Sequence, residues 1–177
     1  MVSGGVYMPV LYVVRHGEPA LRGVMLGRTD PPLSDAGREQ MVQVQLPVQV
    51  VFTSPLRRAA ESAELLSHGT EIVVLSDLAE IALGEWDGKS WQEIEARDPE
   101  RAQQKLANWT AVTPPGGESW AAFAQRIEGA LDIVLMRGQP AAIVGHIAVN
   151  ACIASLLTSA DPISFRQEYG QIYEYQV

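Results

Sequence analysis

Val10-Leu11-Tyr12-Val13-Val14-Arg15-His16-Gly17-Glu18 is a short apolar run that ends abruptly on a cation, an imidazole and a glycine. Its valine-rich part, Val10–Val14, reads as a β-strand bounded by polar motif residues. It is too short for a secretory hydrophobic region, and no stretch approaches the ~20 apolar residues of a membrane span. Four further runs have the same character: Val48–Thr53, Glu71–Leu75, Ala141–Gly145 and Ile172–Val177. The middle ones are mostly apolar on both faces, as strands of a covered parallel sheet are. The last is expected at an edge, in either direction.

Helical patterns fill the intervals. Ser34 is an expected N-cap for a helix to about Gln45, and Pro55 opens one carrying Leu56 to Leu66. Ser90 has Glu93 at the capping-box position. From Ser119 to about Arg137, Trp120, Phe123, Ile127, Leu131 and Val134 follow helical spacing. Further helices are expected over Ala148–Leu157 and, briefly, after Pro162. Leu21–Pro32 and Val112–Gly117 read as loops, the first long enough to frame a site. Alternating strands and helices give an α/β fold: one doubly wound, mostly parallel sheet with helices on both faces. The 177 residues are expected to form a single domain, 1–177.

Composition narrows the function. A net charge of -8 makes nucleic acid and anionic lipid poor partners. The single cysteine, Cys152, lies in an apolar run and reads as a core residue. The three histidines lack short metal-ligand spacing, no GxGxxG or P-loop is present, and Gly116-Gly117 has no strand before it. Neither metal nor cofactor is expected, and a cytoplasmic location is.

The strand ends carry the chemistry. The first run leads into Arg15-His16-Gly17-Glu18, the second into Ser54-Pro55-Leu56-Arg57-Arg58, the fourth into His146, and Glu80 follows shortly after the third. Ligands of doubly wound sheets bind outside the carboxyl ends of the strands, so these residues are expected to converge. Arginine forks match phosphate oxygens. A neutral imidazole is a competent nucleophile toward phosphorus, and nearby guanidinium groups keep it neutral. A backbone carbonyl on its other nitrogen would fix the tautomer. A second histidine at a helix N-terminus adds a donor where negative charge gathers. Glu80 is the candidate acid for the leaving alkoxide, with Glu85 its rival. His68, at a helix C-terminus, reads as structural.

The ordered set resembles the histidine phosphatase superfamily, also called phosphoglycerate mutase-like. The resemblance runs through Leu11–Glu18, Gly27-Arg28-Thr29-Asp30-Pro31-Pro32-Leu33-Ser34, Ser54–Ala59, Leu78-Ala79-Glu80, Gly84–Gly88, Pro115–Ser119 and Gly145-His146. It implies a phosphorylated His16, a phosphate pocket of Arg15, Arg58 and His146, and Glu80 as acid and then base. The substrate-binding set expected on this basis is Arg15, Arg58, His146, Ile147, Arg28 and Arg22. Arg22 stands where the family often has Asn, Leu26 where mutases place Thr, Ile147 where Gly is frequent and Asn150 where Arg is frequent. Ile81, Ala82 and Leu83 follow Glu80 where cofactor-dependent mutases carry extra basic residues. The expected activity is therefore hydrolysis of a small phosphorylated metabolite, with a mutase or a non-catalytic phosphate binder as alternatives and a homodimer left open. Leu26, Ile81, Leu83, Trp86 and Ile147 hint at a substrate with a nonpolar or aromatic portion.

Overall fold

The structure is a computed structural model that describes residues 9–177. Five strands form one sheet: β1 (Val10–Arg15), β2 (Val50–Thr53), β3 (Glu71–Val74), β4 (Ala141–Gly145) and β5 (Ile172–Gln176), in the order β3-β2-β4-β1-β5. β3, β2, β4 and β1 run parallel, while β5 closes the free side of β1 in antiparallel register. The expected mostly parallel sheet is therefore the one found.

Successive strand residues point to opposite faces, and each face meets its own helices. Val14, Val51, Ala142 and Val144 pack with α1 (Asp35–Val42) and α2 (Arg57–Ser67) through Met41, Ala59, Ala63 and Leu66. Leu11, Val13, Phe52 and Ile143 pack the other way. They meet Phe123, Ile127 and Leu131 of α5 (Trp120–Leu135), and Val149 and Ile153 of α6 (Ile147–Thr158). β2 and β4 are buried throughout. β3 is not a covered strand as its composition suggests: it is the sheet edge, and Val74 is 55% exposed.

Most helix starts follow the capping signals. Ser34, Ser90 and Ser119 each accept a backbone N–H of the first turn, and Ser90 and Glu93 form the full capping box. α1 ends earlier than its pattern suggests. The Gln43 and Val44 amides bond to Gln40 and Met41 three residues back, so the last turn tightens and stops before Pro47. His68 supplies the left-handed residue that ends α2, and its Nε2 lies 3.0 Å from the Val44 carbonyl.

One helix escapes the pattern altogether. After α3 (Trp91–Arg97), Asp98 caps α4 (Pro99–Ala107), with Pro99 in its first turn. Asp98-Pro99 was a readable start signal. Only Ala102 and Lys105 of α4 are buried, so no apolar stripe announces it.

The loop after β1 lies hard against α1. A Cβ on Gly37 would stand 2.2 Å from the Glu18 carbonyl oxygen, so the contact admits only glycine. Gly37→Ala is expected to cost roughly 1–3 kcal/mol in urea unfolding. Gly129→Ala, on α5 where a Cβ meets nothing within 4 Å, is expected to be neutral or stabilising.

Candidate active site

The pairing of β1 with β4 sets Arg15 opposite Gly145. The next residues on the two chains are His16 and His146, whose ring centroids are 5.1 Å apart. The His16 amide also donates to the Gly145 carbonyl at 3.0 Å. Both rings are buried.

His16 Nδ1 lies 2.7 Å from the Gly17 carbonyl oxygen. A carbonyl only accepts, so Nδ1 carries the proton and Nε2 keeps its lone pair. The Gly17 peptide is held in turn: its N–H donates to the Ser62 hydroxyl, which donates to the Arg58 carbonyl. Burial first, and then the Arg58 and Arg15 charges, lower the His16 pKa from its ordinary 6.5 to about 3. His146, at the start of α6, is also driven well below the ordinary histidine range, chiefly by burial. Neither ring nitrogen of His146 has a partner among the described residues.

Arg58 lies on the first turn of α2 and is almost wholly buried. Its Nη atoms donate to the carbonyls of Leu26, Gly27 and Thr29. Asp87 accepts the amides of Gly27, Arg28 and Thr29. The loop is thus gripped by a guanidinium through its carbonyls and by a carboxylate through its amides. Arg58 Nε is left without a partner among the described residues, and Arg15 Nε likewise. Arg15 Nη1 donates to the Gln167 carbonyl at 2.6 Å, and its guanidinium stacks on Tyr169, 4.1 Å from the ring centroid. The sequence reading missed Gln167 and Tyr169. They sit in an irregular stretch before β5 with no motif to mark them.

Glu80 is buried just beyond β3. Its carboxylate accepts the Ile81 amide at 2.8 Å and the Ala148 amide at 3.2 Å. Burial nonetheless outweighs these bonds and the arginine charges and raises its pKa, as a proton donor requires. Arg126 of α5 braces this segment, donating to the carbonyls of Asp77, Ala79 and Glu80 and forming two bonds to Glu118. Glu118 accepts the Ala82 amide. Glu85 is exposed on a short 3-10 turn.

A cavity of about 520 Å³ opens onto Arg15, His16 and Glu80, with Ile147 and Ala148 in its wall. Arg58 and His146 do not line it. They are fully buried, with His146 against the His16 ring. Leu26, Ile81 and Leu83 line the cavity as the sequence suggested. Trp86 does not: it is buried in the core, edge-on to Trp91. Arg22 pairs with Glu18 at 3.1 Å and is 65% exposed, away from the cavity lining. Arg28 is also exposed and outside the lining. Cys152 is a buried free thiol, its pKa pushed up to about 11 by burial.

Arg15 at the end of β1 and Arg58 on the first turn of α2 flank a neutral, tautomerically fixed imidazole at one edge of an α/β sheet. Residues 11–174 match the family model of the histidine phosphatase superfamily (branch 1), and the chain belongs to that family. It is 29% identical over 174 residues to an adenosylcobalamin/alpha-ribazole phosphatase of Salmonella typhimurium, covering 90% of this chain and 86% of that one. It is 30% identical over 158 residues to a bifunctional protein of Mycobacterium tuberculosis; the match covers 84% of this chain but only 41% of that relative's length. Its fold matches the crystal structure of the alpha-ribazole phosphatase from Shigella flexneri with a TM-score of 0.83 at 24% identity, covering 93% and 89% of the two chains.

The buried imidazoles have a consequence for stability. Unfolded, His16 takes up a proton near pH 6.5, whereas the native state resists it down to about pH 3. Within that window the unfolded chain binds more protons, so acid favours unfolding. His146 acts in the same direction, and Glu80, with its raised pKa, in the opposite one. His16→Asn is expected to lose less stability than the parent as pH falls from 6.5 towards 3. Equal acid loss in denaturant titrations of the two proteins would show that the His16 ring is not the source.

Proposed function

We propose that this chain hydrolyses phosphomonoesters through a phosphohistidine on His16. The observation that carries this reading is the 2.7 Å contact from His16 Nδ1 to the Gly17 carbonyl, which leaves Nε2 unprotonated beside two arginines. Nε2 attacks phosphorus with its lone pair, and the P–O bond to the alcohol breaks. The carboxyl proton of Glu80 passes to the departing oxygen. In the second step the Glu80 carboxylate takes a proton from water as it attacks phosphorus. The P–N bond breaks, and inorganic phosphate leaves. Arg15 meets the phosphoryl oxygens from the cavity; Arg58 and His146 lie behind the His16 ring, outside the cavity lining, and their unpartnered Arg58 Nε and His146 ring nitrogens would serve oxygens seated deeper, beside that ring. Arg22 and Arg28 serve at most in drawing the anion in.

Hydrolysis is favoured over phosphoryl transfer to a second ligand. The segment after Glu80 supplies Ile81 and Leu83 to the cavity wall, not cations that would retain a second phosphate. No helix among the described residues is long and apolar enough to cross a membrane. The single cysteine, Cys152, is a buried free thiol, which fits a reducing compartment such as the cytoplasm.

His16→Ala is expected to abolish turnover, and acid-labile phosphate should be trapped on His16 of the parent enzyme. Phosphate trapped on a serine or on His146 would overturn the assignment. Activity should survive EDTA; loss restored by one divalent metal would refute a charge-only pocket.

Glu80→Gln should slow alkyl phosphates far more than nitrophenyl phosphate in the phosphorylation step, within the roughly 10²–10⁴-fold typical of general acid catalysis. Glu85→Gln should change little. The reverse pattern in single-turnover kinetics would place the acid on Glu85.

A further inference from the structure

The cavity in front of His16 is larger than a phosphate needs, and its outer part is apolar. Met25, Leu26, Trp91, Leu106, Trp109 and Phe165 line it. They come from three separate segments: the loop after β1, the α3–α4 region, and the stretch before β5. Leu106 is 67% exposed although it lines a cavity, so its side chain meets solvent where a ligand would cover it. The volume, about 520 Å³, lies within the ~300–1,000 Å³ of pockets that enclose drug-sized ligands.

Three polar side chains of this wall already hold bonds to the protein, while Glu168 and Tyr169 line the cavity beside Arg15, at its phosphoryl end. Lys105 Nζ donates to the Val112 carbonyl at 2.6 Å. Gln167 donates to the Val13 and Gln171 carbonyls and accepts from Asn150. Arg166 Nη1 donates to the Ile163 and Phe165 carbonyls. Substrate hydroxyls entering this wall would leave water and find few partners, at a cost of about 1–3 kcal/mol for each unpaired group. A hydrocarbon surface would gain about 25 cal/mol per Å² buried.

We propose that the alcohol part of the substrate is an apolar, ring-bearing group seated against Trp91, Leu106, Trp109 and Phe165, rather than a sugar or a glycerate. This rests on the phosphohistidine reading above and adds the class of ester that the site selects. The phosphoryl group occupies the Arg15–His16–Glu80 floor, and the carbon skeleton extends outward between the two tryptophans. Trp109 is itself braced edge-on by Trp120, 4.9 Å between centroids, so it offers a fixed wall.

The test compares primary alkyl esters, whose leaving groups differ little in basicity. The substrates are 2-phenylethyl phosphate, 2-(naphthyl)ethyl phosphate, glycerol 3-phosphate and glucose 6-phosphate. The ring-bearing esters should exceed the others in kcat/KM by at least about tenfold. Trp109→Ala and Leu106→Asn should each shrink that ratio. Leu106→Asn removes an exposed side chain, so it remains informative if Trp109→Ala fails to fold. Equal or reversed preference would overturn the proposal, as would a preference that both variants leave intact. Turnover of none of the four esters, with no phosphate trapped on His16, would instead remove the underlying hydrolase reading, and this proposal with it.

Discussion

The parallel pairing of β1 with β4 is the constraint on which the site depends. One register, Arg15 opposite Gly145, sends both chains over the sheet edge side by side. Slipping it by one residue would turn Val13 and Val14 to the wrong layers and separate the two imidazoles. The pairing is protected on both sides, by β2 beyond β4 and by β5 beyond β1. The amide of His16 extends the ladder one step past the last strand residue. His16, the proposed nucleophile, is therefore positioned by sheet hydrogen bonds rather than by a flexible loop.

Around that pair the protein holds positive charge in a dry place. Desolvation lowers the pKa of Arg15 and Arg58, the first in part-buried and the second in fully buried surroundings. Arg58 meets its nearest carboxylate, Asp30, only at 3.8 Å, and most of its bonds go to carbonyls. Neutral acceptors fix a guanidinium without cancelling its charge, which leaves its field available to an anionic ligand. Burial first, and then the same field, keep His16 and His146 neutral. The arrangement sacrifices stability in acid for a His16 imidazole that carries no extra proton near neutrality.

The sheet and its strand-end chemistry were legible because each piece had a local signature. Apolar runs marked the strands, serines marked the helix starts, and the polar residues after each run pointed to one edge. The misreadings have physical causes. β3 has the composition of a covered strand, but nothing in Glu71–Val74 records that no strand pairs with its far side. α4 is amphipathic through only two inward residues. Trp86 and Trp91 are equally aromatic, and only the turn at Gly84–Trp86 decides that the first enters the core while the second lines the cavity. Arg126 and Glu118 had no visible role, because the groups they hold are backbone carbonyls and an amide supplied by a distant segment.

The outer cavity wall is built from the loop after β1, residues 91–109 and residues 162–169, none of which contributes a strand to the sheet. The Arg15–His16–Glu80 floor and the wall therefore answer to different stretches of chain. Replacements in Trp91–Ala107 alter what fits without disturbing the β1–β4 register. Lineages that share the phosphoryl chemistry can thus diverge in diet while keeping one engine. For the protein engineer, retargeting such an enzyme means exchanging a peripheral helical hairpin, not rebuilding the centre.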